Sequence, residues 1–149
     1  MPEAKALAAS GTVGNKVYLL GGSEVFGEVW SSAHVYDPAS DSWSAVADMP
    51  APRTWSAVAV HDGLIYVFGG GDAIDEPAYY ADAPPSSSVF VLDPVADAWT
   101  EKADMPFVRW AMVAGVVEGK IYLIGGSDRQ YSYKPYFSEV WEYDPEAAE

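Results

Sequence analysis

One phrase occurs three times in the chain: KVYLLGGSE from Lys16, LIYVFGGGD from Leu64 and KIYLIGGSD from Lys120. Each is a short run of β-formers that stops on two adjacent glycines. Isoleucine, valine, leucine and tyrosine suit a pleated, buried ribbon, whereas glycine weakens a strand and reaches backbone angles that other residues avoid. One such stop is an ordinary turn. Three in the same setting are a repeat, and a repeat of this length restricts the fold to copies of one small unit set side by side.

Other landmarks keep the same register. Met-Pro occurs at Met1-Pro2, Met49-Pro50 and Met105-Pro106, and sixteen residues past each proline stands a strand tyrosine: Tyr18, Tyr66 and Tyr122. A basic residue lies three past each proline, as Lys5, Arg53 and Arg109. After the glycines comes Asp-Pro, at Asp37-Pro38, Asp93-Pro94 and Asp144-Pro145. Six residues past the first two aspartates stands a tryptophan, Trp43 and Trp99, which the register assigns to an outer strand. The third would fall at position 150, so a continuation past Glu149 is expected.

Within the second unit TWSAVAVHDG, LIYVFGG, SSVFVLDP and DAWTEKADMP each read as a strand bounded by Gly, Pro or Asp, and no helical period appears. The predicted class is all-β, with units at about 1–48, 49–104 and 105–149, the last lacking its outer strand. The extra length between Gly71 and Ser88 carries Pro77, Pro84, Pro85 and a serine run, and reads as an insertion outside the sheet core. The glycine pairs do not make a phosphate loop, which needs a following helix and usually a lysine.

The glycine pair after a hydrophobic strand, the tyrosine before it, the Asp-Pro strand end and the spaced tryptophan together resemble the kelch family over nearly the whole chain. The resemblance implies a partial kelch-type β-propeller of three antiparallel blades. Closed propellers hold about four to eight blades, and three blades leave two apolar sheet faces bare. The expected partner is therefore a second copy, giving a homodimer that closes a six-bladed ring.

Composition narrows the function. With 22 acidic residues against 8 basic, the net charge of −14 opposes binding to nucleic acid, which relies on Lys and Arg at the phosphates. There is no cysteine, so disulfides and thiolate chemistry are absent. Some kelch propellers are copper oxidases with a cysteine-linked tyrosine, and this chain cannot build that centre. His34 and His61 have no neighbours at ligand spacing, and the acids Asp72, Asp75, Glu76 and Asp82 lack the spacing of a calcium loop. No metal or other cofactor is expected. No apolar run approaches the ~20 residues of a membrane helix, and no signal peptide opens the chain, so the default compartment is the cytoplasm.

Antiparallel strands put the turns on two faces. One face has short turns; the other collects the long loops at 71–88 and 127–138 and the segments after Met-Pro. On that top face the candidate ligand-binding residues are Arg53, Trp55, Arg109, Trp110, Tyr79, Tyr80, Tyr131, Tyr133 and Tyr136. Tyrosine and arginine are enriched in interface hot spots, and the guanidinium fork suits a carboxylate. The other reading is structural: tyrosines that pack loops, and arginines bridged to acids such as Asp48 or Asp104.

No catalytic group is assigned. The function expected is a non-enzymatic recognition module for a protein segment, or for a polar, anionic or carbohydrate ligand. The alternatives are a kelch enzyme resembling sugar mutarotases and epimerases, or an inactive piece of a larger propeller, natural or engineered.

Overall fold

The period-2 alternation of the repeats folds into short strands, and each strand has one side chain row for each neighbouring sheet. A computed structural model describes residues 3–24, 27–72, 85–128 and 136–147. The first sheet is β1 (Ala9–Val13), β2 (Lys16–Leu20), β3 (Ala33–Asp37) and β4 (Ser42–Val46), paired antiparallel in chain order. The second is β5 (Ala57–His61), β6 (Leu64–Phe68), β7 (Val89–Asp93) and β8 (Ala98–Lys102). The third holds three strands among the described residues: β9 (Val113–Val117), β10 (Lys120–Ile124) and β11 (Val140–Tyr143). The chain is all-β, three blades of a propeller, the third with three strands among the described residues. Among the described residues no helix is long and apolar enough to cross a membrane.

Local chemistry fixes the turns. At Asp62-Gly63 and Glu118-Gly119 both central residues have positive φ (48° and 78°, 50° and 80°), the backbone of a tight hairpin whose twist matches its strands. The Asp-Pro aspartates cap the next turn. Asp37 accepts the Ala39 N–H at 2.9 Å, Asp93 that of Val95 at 2.8 Å and Asp144 that of Glu146 at 3.0 Å. These backbone donors hold the carboxyl groups of Asp37 and Asp144 below the usual range.

Two cores form where sheets meet. Tyr18, Leu20 and Val35 of the first sheet share a buried cluster with Ile65, Val67, Phe90 and Leu92 of the second. The alternate residues Tyr66, Phe68, Val89 and Val91 meet Ile121 and Leu123 of the third. The glycine pairs belong to these joints. Gly21 and Gly69 both have φ of 59°, and a Cβ on either would run into the main-chain carbonyl of Arg53 or Arg109 in the following unit. Only glycine satisfies both the angle and the close approach.

The segment before β7 differs from the expected insertion. Pro85 is buried, Ser86 N–H donates to Gly70 C=O at 2.7 Å and Gly69 N–H donates to Ser88 C=O at 3.0 Å. Residues 85–88 thus belong to the blade, because they satisfy the backbone of the glycine turn.

Candidate functional site

The basic residues after Met-Pro occupy one register position in each blade, yet their surroundings differ. Lys5 is almost wholly buried, with Nζ 2.6 Å from Ser32 Oγ and 3.3 Å from the Glu3 carboxylate. Arg109 is buried too. Its Nη2 donates to Glu139 at 2.8 Å, and its guanidinium carbon lies 3.2 Å from the centre of the Phe137 ring. With Arg109 buried and Glu139 half-exposed, these contacts tie residues 137–139 to the blade.

Arg53 is half-buried, and among the described residues no carboxylate lies within ion-pair distance of it. Its fork meets hydroxyls instead: Nη2 reaches Ser88 Oγ at 3.0 Å and Ser86 Oγ at 3.2 Å, and Nη1 donates to Pro52 C=O at 2.7 Å. The Phe90 ring lies 5.1 Å away. Burial pushes the Arg53 pKa down, while the fields of Asp72, Glu101 and Asp104 pull it up. The guanidinium is thus partly stripped of water, and its described hydrogen-bond partners are neutral oxygens.

The partners were hidden in the register. Ser32, Ser88 and Glu139 each stand five residues before the Asp-Pro aspartate, and each meets the basic residue of its own unit. Sequence reasoning singled out the cations and overlooked that position. The suggested bridge to Asp104 is not the one formed, since Asp104 accepts from Ser87 Oγ at 2.9 Å.

Trp55 is half-buried and meets Trp110 edge-on, with ring centroids 5.5 Å apart. Trp110 itself is 2% exposed, its ring lying over Gly71 where a Cβ would collide with it. It supports the top face from beneath. Ser127 forms backbone bridges to Trp110 and to Tyr136, and the Tyr136 side chain is 79% exposed. Trp55, Trp110 and Tyr136 are thus joined through one short stretch. Tyr79, Tyr80, Tyr131 and Tyr133 lie outside the described residues, as do Asp75, Glu76 and Asp82. Among the described residues no three His, Asp or Glu side chains gather as metal ligands would.

Comparison with known proteins gives the same picture. The family described as the KLHDC2/KLHL20/DRC7 Kelch-repeats domain matches residues 7–149. Kelch-like protein 34 of Homo sapiens is 33% identical over 148 residues, covering 99% of this chain and 21% of that protein. Beta-scruin of Limulus polyphemus is 30% identical over 127 residues, covering 85% of this chain and 14% of its own. Kelch-like protein terF of Aspergillus terreus is 36% identical over 124 residues, covering 79% and 26%. The chain thus spans only about a quarter or less of these relatives. The solved structure of YjhT superposes with a TM-score of 0.69 at 24% identity, covering 85% of this chain and 36% of that one, which establishes shared architecture. Recurrent glycine joints, capped Asp-Pro turns and a family match over nearly its whole length make this chain a member of the kelch-repeat family.

Proposed function

We propose that the chain is a non-enzymatic recognition module whose top face takes a protein segment through an acidic side chain. The observation that carries this is Arg53, the one of the three equivalent cations that meets serines instead of a carboxylate among the described residues. In its neighbour, Glu139 fills the corresponding place beside Arg109. An incoming Asp or Glu completes for Arg53 what Glu139 completes for Arg109. Trp55 and the exposed Tyr136 offer flat contact area around it, with Arg109 and Trp110 holding that platform in place.

Arrayed peptides carrying Asp or Glu at varied positions test the assignment. Arg53→Ala is expected to weaken the best binders by about ten- to a hundredfold, the scale of one charged hydrogen bond. Arg53→Lys, which keeps charge without the fork, should lose less. Unchanged affinity in Arg53→Ala overturns the site, and turnover of the anomers of a carboxylated sugar by the protein would move it to the mutarotase alternative. We further infer that the units at about 1–48, 49–104 and 105–149 each supply one blade, and that two chains close a six-bladed ring. A solution mass of two chains supports that ring.

A further inference from the structure

The two joints inside the chain show which parts hold one blade to the next. Gly22 N–H donates to Arg53 C=O at 2.8 Å, and Gly70 N–H donates to Arg109 C=O at 2.9 Å. Beside them Trp55 N–H donates to Leu7 C=O at 3.2 Å, and Ala111 N–H donates to Trp55 C=O at 2.9 Å. Leu7, Trp55 and Ala111 share one register position, and their φ values are 56°, 54° and 50°. Three unlike side chains held in the left-handed region show that the joint, not the residue type, sets this backbone. The row is open on both sides: among the described residues Gly126 N–H, Ala111 C=O and Leu7 N–H have no backbone partner.

The open faces carry joint positions as well. Ile124 and Val140 stand where Phe68 and Val89 are buried in the second joint, yet they are 45% and 61% exposed. At one pair of positions the open faces depart from the internal ones. Two residues before the Asp-Pro aspartate, the face toward the following blade bears Val35, then Val91, then Glu142. Three residues before it, the face toward the preceding blade bears His34, then Phe90, then Trp141. Val35 and Phe90 lie in one core cluster. Carrying that joint onto the two open faces sets Glu142 against His34. His34 is 7% exposed, and its Nδ1 is buried with no hydrogen-bond partner among the described residues. Glu142 is exposed, bonded to Lys120 Nζ at 2.5 Å and to Tyr122 Oη at 3.0 Å.

The geometry points to a polar lock at the ring-closing joint: the open face of the third sheet takes the first sheet of a second copy of this chain, with Glu142 accepting a hydrogen bond from the partner's His34. This rests on the ring of two chains above. The internal joints use an apolar pair at this place; the closing joint uses an acid and a base. A polar pair is satisfied only in one register, so it selects the closing joint over other stackings of the same apolar faces.

Sedimentation equilibrium on the wild type, His34→Phe, Glu142→Val and the double variant tests it, with circular dichroism to verify folding. The wild type is expected as a dimer. Glu142→Val leaves His34 buried without a partner, and His34→Phe sets an apolar ring against a carboxylate that keeps only Lys120 and Tyr122; each should weaken the dimer by about ten- to a hundredfold. The double variant rebuilds the apolar pair of the internal joints and should return the dissociation constant to within about threefold of wild type. Should His34→Phe fail to fold, His34→Gln keeps a donor and should retain the dimer when Glu142 is present and lose it with Glu142→Val. A wild-type monomer or trimer overturns ring and lock together. A wild-type dimer whose variants bind unchanged, or whose losses add in the double variant, overturns the lock alone.

Discussion

The joint between the first and second sheets and that between the second and third share one apolar middle and end differently at the rim. In the first joint the outer strand β8 reaches across: Trp99 Nε1 donates to Ala47 C=O at 2.8 Å, and Ala47 N–H donates to Asp97 at 2.8 Å. Two hydrogen bonds staple the linker between the blades to the following sheet. The third sheet has no such strand among its described residues, so its joint closes on an aromatic cluster. Tyr143 packs its ring 5.1 Å from Phe68 and 6.1 Å from Tyr66, at the register position of Leu92, and leaves its hydroxyl buried and unpaired. Apolar burial makes both joints; in the first, β8 and the turn before it add two hydrogen bonds at the rim.

Four changes sharpen or break this comparison. The largest effect is expected from Phe68→Ala, which empties the centre of the second joint and should cost about 3–5 kcal/mol by urea unfolding. A loss below about 1 kcal/mol would mean that the third sheet contributes little to the core. Next, Ile65→Val in the first joint removes one methylene from a fully buried side chain and should cost about 0.5–1.5 kcal/mol. Trp99→Phe keeps an aromatic face of smaller size and deletes the N–H donor to Ala47. A loss of about 0.5–1.5 kcal/mol is expected, and none at all would show the rim staple to be idle.

The smallest effect near neutral pH belongs to Tyr143→Phe, which removes an unpaired hydroxyl and should be neutral or slightly stabilising. Its signature is alkaline. Burial raises the Tyr143 pKa from the usual 10.0 to about 12, so the folded state disfavours the ionised ring. The contribution is fully present below pH 10, and stability falls as pH rises through the interval up to about 12. The Phe variant should lose less stability across that window. Parallel alkaline melting curves for the two proteins would refute the burial of this hydroxyl.

The blades were legible because their markers are local. LIYVFGG and SSVFVLDP map onto β6 and β7 since alternation, glycine and Asp-Pro act within a few residues. The fate of each arginine was not legible by the same means. Glu139 lies thirty residues from Arg109 and Ser88 thirty-five from Arg53, and one substitution at that distant position decides between an ion pair and a hydroxyl cradle. Trp110 was expected at the rim and lies beneath it because Gly71, third in the run FGGGD, leaves room for its ring. The other two units carry serine there, as Ser23 and Ser127, so the clue was present in the extra glycine.

The Trp99 staple also sets how the molecule would yield to a pull. Among the described residues a load on the C-terminal side first meets β11, an edge strand that detaches one hydrogen-bonded pair at a time, and then a blade whose described residues form no clasp like that of Trp99. A tear running inward from there next meets the boundary between the first two blades, where the Trp99 indole holds the linker by a hydrogen bond. The first two blades are therefore expected to separate last under tension, which single-molecule pulling would read as the final rupture event.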